Sequence, residues 1–318
     1  MDFVLVIAGL VILLVAGDFL VKGAVSMSLR MGIPPLIVGF TIVGFGTSAP
    51  ELLISVQSAL EGSPGIALGN VVGSNVANIL MVLGVPALLF TMDTRHCDSR
   101  RTYLQMIAAS VIFIGLCYLG PLHFWHGVIL LAMLTAMLSD AYFSARRHKK
   151  GVNIDNVTSE ELSELEDADP NMPIWQMAAY MIAGLIGLPF GADILIEGAQ
   201  RIAQDFGISE EVIGLTIIAI GTSLPELATT VVAAYRRQAD VAMGNVIGSN
   251  MFNLLAIMGV TSFFGPLEVA RQFFVLDFWV MLGASLLLAL FVFFRLKLSR
   301  IWGMLFLAAY VAYMVFLL

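Results

Sequence analysis

Ten stretches of this chain are long and apolar enough to cross a lipid bilayer: roughly residues 3–28, 34–60, 66–90, 102–120, 122–144, 174–203, 210–235, 241–265, 272–294 and 301–318. About 20 apolar residues span a hydrocarbon core, so this spacing implies an all-α polytopic membrane protein. Composition agrees. Only 12% of the residues are charged and 59% are hydrophobic, against about 25% charged in a soluble domain. The first stretch, MDFVLVIAGL onward, has no basic n-region and is too long for a signal-peptide h-region.

Charge orients the runs. Lys and Arg concentrate in cytoplasmic loops. Odd-numbered connections and their flanks take Lys22, Arg30, Arg95, Arg100, Arg101, Arg146, Arg147, Lys149, Lys150, Arg236, Arg237, Arg295, Lys297 and Arg300, whereas even-numbered connections take only Arg201 and Arg271. Both termini are therefore expected outside a cell membrane, with the long 146–173 linker cytoplasmic. That linker also carries most of the excess acid behind the net charge of −7, in DNVTSEELSELEDAD (155–169). It lacks EF-hand spacing, and Thr158 begins a capping-box pattern, so it reads as a solvated linker. Nothing here suggests nucleic acid. The two cysteines, Cys97 and Cys117, give neither a disulfide framework nor a CxxC metal pattern.

The chain also repeats itself. AGDFLVKGA (16–24) aligns with GADILIEGA (191–199), GFTIVGFGTSAPEL (39–52) with GLTIIAIGTSLPEL (214–227), and GNVVGSNVANILMVLG (69–84) with GNVIGSNMFNLLAIMG (244–259). Every match has the same offset, 175 residues, and 9 of 16 positions are identical in the last pair. Five runs per copy is an odd number of crossings, so the second copy enters from the opposite side. The expected architecture is ten transmembrane helices in two inverted five-helix repeats, residues 1–145 and 174–318, joined by the acidic linker. Transporters of this kind place their sites at the midplane, on interrupted helices.

The GTSxPEL strings fall at the midpoints of the second and seventh runs. Each puts an acid, Glu51 or Glu226, at a depth where an ionisable group costs several kcal/mol and marks function by default. No basic residue is near either in sequence, so two facing carboxylates call for a cation. Pro50 and Pro225 lack an N–H, which frees the carbonyls of Gly46 and Gly221. With the hydroxyls of Thr47, Ser48, Thr222 and Ser223, the set is all oxygen. Hard ions such as Ca²⁺ take six to eight oxygens; ligands for softer metals are missing. The third and eighth runs add Ser74 with Asn78 and Ser249 with Asn253, spaced i, i+4 on one helix face. Asn70, Asn75, Asn245 and Asn250 read instead as interhelical hydrogen-bonding residues. Gly69–Gly73 and Gly244–Gly248 are GxxxG pairs that admit a close neighbouring helix.

Paired GTSxPE and GSNxxN segments at the centres of two inverted five-helix halves resemble the sodium/calcium exchangers of the Ca²⁺/cation antiporter superfamily. The resemblance covers nearly the whole chain, and the short linker is similar to that of prokaryotic members. It implies a non-enzymatic antiporter with Ca²⁺ and Na⁺ as substrates, no cofactor and no obligatory protein partner. Glu51 and Glu226 would be shared Ca²⁺ and Na⁺ ligands, beside Thr47, Ser48, Thr222, Ser223 and the carbonyls of Gly44 and Ala219. Ser74, Asn78, Ser249 and Asn253 would complete the Na⁺ sites; some members carry Asp where this chain has Asn253. It further implies three Na⁺ per Ca²⁺, and alternating access through movement of the first and sixth helices.

Other acids and histidines read more plainly. Asp18 and Asp193 are matched acids expected to anchor near the membrane faces, Asp18 pairing with Lys22 at i+4. His123 and His126, flanking Trp125, read as an interfacial aromatic belt. The protease strings GxSxG, HExxH and GxGD are absent from the sequence, and no histidine lies near Ser48 or Ser223 to act as a base. A passive channel is set apart from an antiporter by its indifference to a counter-ion. Carboxylates that hold Na⁺ also hold H⁺, so the residues alone leave Na⁺, K⁺ and H⁺ coupling open.

Overall fold

A computed structural model describes residues 2–151, 172–206 and 219–317. The acidic stretch 155–169 and residues 214–218 of the second motif lie outside them. The described residues form helices and no strand beyond two isolated bridges. In chain order they are α1 (Asp2–Met31), α2 (Pro35–Thr47), α3 (Ala49–Leu60), α4 (Pro64–Leu89), α5 (Arg100–Tyr118), α6 (Phe124–Gly151), α7 (Ile174–Asp205), α8 (Leu224–Tyr235), α9 (Ala239–Thr261), α10 (Phe273–Phe294) and α11 (Arg300–Leu317). Eight are long and apolar enough to span a membrane, and the bent pair α2–α3 makes a ninth. Nine of the ten apolar runs are thus seen as candidate spans. Of the seventh run, the structure describes the short turn Ala219–Gly221 and α8.

Burial sorts the helices into a core and a lipid-facing shell. In α4, 83% of the apolar window is buried, and in α9, 94%; in α6 and α11 the figure is 22%. The main core cluster joins α4 and α9 to side chains from α5, α10 and α11, including Tyr103, Phe113, Phe278 and Phe306. A smaller cluster joins α1 and α7 to Val38, Val43 and Ala228. The α1–α7 contact is backbone-close at two matched points. A Cβ on Gly9 would sit 2.6 Å from Leu195 N, and one on Gly184 would sit 2.6 Å from Leu20 Cβ. The two contacts are related by the 175-residue offset.

The connections also sort by parity. Met92 pairs with Leu298, Arg30 donates to the Met172 carbonyl at 2.5 Å, and Phe90 stacks edge-on against Tyr235. These contacts join the third connection to the seventh and ninth at one end of the molecule, and the first connection to the fifth. The fourth and eighth meet through Leu122 and Leu267. At the first end Asp93 is held by Arg95 and Lys297, at 2.7 and 3.2 Å, and those two cations keep its carboxyl well below the usual range.

One polar contact inside the helical region was not foreseen from the sequence. Asp277, in a π-helical stretch at the start of α10, accepts a 2.9 Å hydrogen bond from the Tyr313 hydroxyl on α11 and is 4% exposed. Its signal was a lone acid in FFVLDFWVM, without the duplication that marked Glu51 and Glu226. Removing the donor leaves a buried acceptor unpaired, at a cost of about 1–3 kcal/mol. Tyr313→Phe is expected to lower the melting temperature of the detergent-solubilised protein by several degrees.

Candidate ion-binding site

The site begins where two helices break. Pro50 enters α3 at its first turn and Pro225 enters α8 in the same way. Neither can extend a preceding helix, because each lacks an N–H and its ring crowds the carbonyl four residues back. The breaks fall on Ser48 (φ −82°, ψ 6°) and Ser223 (φ −89°, ψ 5°), so the two copies adopt nearly the same backbone conformation. At Ser48 the axis turns by 43°. Gly39–Val43 and Asn253–Ile257 are π-helical. Such single-turn bulges are rare and frequent at functional sites.

These breaks bring the motif side chains together from both halves. Glu51 and Glu226 are both fully buried. The Ser48 hydroxyl donates to Glu226 Oε1 at 3.3 Å. Thr47 and Ser249 hydroxyls also face the Glu226 carboxylate, lie 3.4 Å from one another, and both reach the Gly44 carbonyl at 3.4 Å. Asn78 Nδ2 donates to Asn250 Oδ1 at 3.1 Å. Ser74 and Thr222 are 3% and 9% exposed. Ala219 opens the short turn that leads into the Ser223 break.

Among the described residues, several buried oxygens have no partner: both carboxylate oxygens of Glu51, Glu226 Oε2, Ser223 Oγ, Asn78 Oδ1 and Asn253 Oδ1. Buried polar groups are nearly always paired, and neither carboxylate is in an ion pair among the described residues. An anionic, oxygen-lined pocket of this kind fits a hard cation. Among the described residues no cluster of three or more His, Cys, Asp and Glu forms. Among the described residues, the charge beside these oxygens therefore comes from the two carboxylates. His126 Nδ1 accepts the His123 backbone N–H at 3.0 Å, beside a Trp125 that is 71% exposed.

The other asparagines are supports. Asn70 donates to the Glu51 carbonyl at 3.2 Å and to Ser55 Oγ at 3.0 Å; Asn245 donates to the Glu226 carbonyl at 3.3 Å and to Thr230 Oγ1 at 3.0 Å. The two pins match at the 175-residue offset. Asn75 and Asn250 exchange side-chain-to-carbonyl bonds at 3.3 Å in each direction. Asp18 departs from expectation. Its partner is Arg236, at 2.5 Å, while Lys22 lies 5.9 Å from the Tyr180 ring centroid. The reason is that the end of α8 lies against α1, and a long-range guanidinium outcompetes the i+4 lysine. GxxxG behaviour is shown for one copy. Gly244 and Gly248 lie against the α2 backbone. At Gly73 no described atom lies within 4 Å, and the stretch 211–215 that the repeat would place there is outside the described residues.

The sequence profile of the sodium/calcium exchanger protein family matches residues 1–139 and 177–318. The chain belongs to the sodium/calcium exchanger family. It is 35% identical over 316 residues to the putative antiporter CaxA of Alkalimonas amylolytica, covering 98% of this chain and 96% of that protein. It is 30% identical over 357 aligned positions to the sodium/calcium exchanger MaX1 of Methanosarcina acetivorans, covering 99% and 98%. The fold matches the sodium-calcium exchanger NCX_Mj with a TM-score of 0.78 at 29% identity, covering 98% and 97% of the two chains. This exchanger-family protein is thus a helical membrane protein of a transporter family, with the fold of a prokaryotic member.

Proposed function

We propose that the protein exchanges Na⁺ for Ca²⁺ across the cell membrane, by alternating access to the pocket around Glu51 and Glu226. One observation carries the reading: two carboxylates, one from each copy of the motif, are fully buried, and three of their four oxygens have no partner among the described residues. One Ca²⁺ or two Na⁺ neutralise the pair, and loading both kinds would overcharge a dehydrated site, since buried charge is tolerated only when paired. Binding is then mutually exclusive, which is the core of exchange. The ligands in this reading are Glu51, Glu226, Thr47, Ser48, Thr222, Ser223, Ser74, Asn78, Ser249 and Asn253, with the carbonyls of Gly44 and Ala219.

The architecture in this reading is ten helices in two inverted repeats, 1–145 and 174–318, joined by a cytoplasmic 146–173 linker, with both termini outside. The reciprocal Asn75–Asn250 bonds and the matched Gly9 and Gly184 contacts support a two-fold relation between the halves. The bias of Lys and Arg to the odd-numbered connections supports the orientation. Three Na⁺ per Ca²⁺ would move one net charge per cycle, worth about 2.3 kcal/mol per 100 mV, so the membrane potential would help expel Ca²⁺.

Proteoliposomes loaded with Na⁺ are expected to take up ⁴⁵Ca²⁺ when diluted into Na⁺-free medium, while K⁺-loaded vesicles stay at background. Uptake driven by a pH step without Na⁺ would assign the coupling to protons. Uptake indifferent to every counter-ion would make the protein a channel.

A further inference from the structure

The two halves share one fold pattern but not one charge pattern. Asp18 on α1 and Arg236 at the end of α8 form a partly buried ion pair, with Arg236 Nη2 at 2.5 Å and Nε at 2.7 Å from Asp18 Oδ1. The Arg236 side chain is only 14% exposed. At the 175-residue offset, Asp18 corresponds to Asp193 on α7, and Arg236 corresponds to Glu61 at the end of α3. The matched position is therefore acid against acid. Among the described residues neither Asp193 nor Glu61 is in an ion pair; both are exposed, and Glu61 accepts a hydrogen bond only from Gln57, at 2.8 Å.

Packing follows the same division. Ala228 on α8 lies against Gly17 of α1 and is 6% exposed, whereas its counterpart on α3, Leu53, is 72% exposed. α1 is thus closed down on α8, while the surface of α3 that α7 would cover by the repeat relation is uncovered. In a protein made of two related halves, a preference for one access state has to come from where the halves differ.

We infer that the Asp18–Arg236 pair is a latch that holds the α1–α8 side closed, and that the absence of a cation opposite Asp193 leaves the α7–α3 side without one. Opening the α1–α8 side requires breaking an attraction. Closing the α7–α3 side brings Asp193 and Glu61 together. Both effects bias the resting protein toward the state seen here. This rests on the alternating-access reading above, and it makes Asp18 and Arg236 positioning residues: they touch no ion, yet they set which face is exposed to it.

The test uses the full-length protein in proteoliposomes, with Cys97→Ser and Cys117→Ser removing the native thiols. Leu53→Cys and Ala228→Cys then serve as separate probes of the two sides. Labelling by a membrane-impermeant maleimide reads each side without requiring transport. Leu53→Cys is expected to react fast and Ala228→Cys slowly. Arg236→Gln should speed Ala228→Cys and slow Leu53→Cys, roughly two- to fivefold for an ion pair of this exposure. The swap of Asp18→Arg with Arg236→Asp should restore the original rates. Glu61→Arg, which offers Asp193 a cation, should shift both probes in the same sense as Arg236→Gln.

Rates unmoved by Arg236→Gln and Glu61→Arg, or a shift that the swap does not restore, would overturn the latch. If exchange still required Glu51 and Glu226, the transport reading would stand without it. Probes that rise or fall together across all variants would overturn the two-sided reading itself, and the latch with it.

Discussion

Glu226→Gln, and equally Glu51→Gln, is expected to reduce Na⁺-dependent Ca²⁺ uptake by about 100-fold or more while the protein still folds. Glutamine keeps the volume and one acceptor oxygen, but it removes the charge and turns the second oxygen into an NH₂ donor. Glu51 is fully buried and both of its oxygens lack a partner among the described residues, so no described neighbour compensates the change. A divalent ion would then face a single carboxylate in a pocket with little water. Breaking a buried charge pair by removing one member costs about 3–5 kcal/mol, and each 1.4 kcal/mol is a factor of ten in affinity. A second readout separates lost binding from lost folding. Ca²⁺ should raise the melting temperature of the wild-type protein, since a ligand that binds only the folded state stabilises it by mass action. Either variant should lose that shift. In Ca²⁺-free and Na⁺-free buffer the variants should melt no lower than wild type, because two buried acids no longer repel. A variant that kept both uptake and the Ca²⁺-induced shift would show that the two carboxylates do not form one site.

Much of this site was legible in the sequence because it is written twice. An acid, a proline and two hydroxyls recurring at a fixed offset inside apolar runs are too costly in a bilayer to be incidental. Their local chemistry was also readable: a proline at the start of α3 or α8 implies a break one or two residues earlier, and Ser48 and Ser223 are where the helices turn. Asn70 and Asn245, read from the sequence as hydrogen-bonding residues, pin the Glu51 and Glu226 carbonyls.

What the sequence did not disclose depends on which helix packs against which. Lys22 is the natural i+4 partner for Asp18 within one helix, but α8 lies against α1 and brings Arg236 closer. Neither the contact nor the asymmetry it creates is visible until the two copies are placed in space. Asp277 was overlooked for a related reason. Its partner Tyr313 is on another helix 36 residues away, and the residue has no second copy to draw attention to it. The π-helical stretches at Gly39–Val43 and Asn253–Ile257 leave no reliable mark in composition, because they are set by how the neighbouring helix fits.

That fit underlies the second large effect: Gly248→Val is expected to prevent formation of a stable, monodisperse protein or to lower its melting temperature by roughly 10 °C. Gly248 lies in α9, the most buried helix, where 94% of the apolar window is inside. A Cβ there would fall 2.3 Å from the Phe40 carbonyl oxygen, and one on Gly244 would fall 2.5 Å from the Leu36 carbonyl oxygen. Both obstacles are backbone atoms of α2, so rotation of a side chain cannot relieve the clash. In lipid there is little hydrophobic force to drive helices together, and close backbone packing through small residues takes its place. Overpacking by one or more methyl groups typically costs about 1–3 kcal/mol, and more where backbone must move. The consequence reaches the site, because Phe40 precedes Gly44 by four residues and Gly248 immediately precedes Ser249. Pushing α2 from α9 would separate Thr47 from Ser249, now 3.4 Å apart, and open the oxygen set around Glu226. Gly248→Ala, the smallest step, should therefore show a measurable loss of the Ca²⁺-induced melting shift even where enough protein folds to be assayed. Wild-type stability and an intact shift in Gly248→Val would mean that the close approach of α2 and α9 is not what builds the pocket.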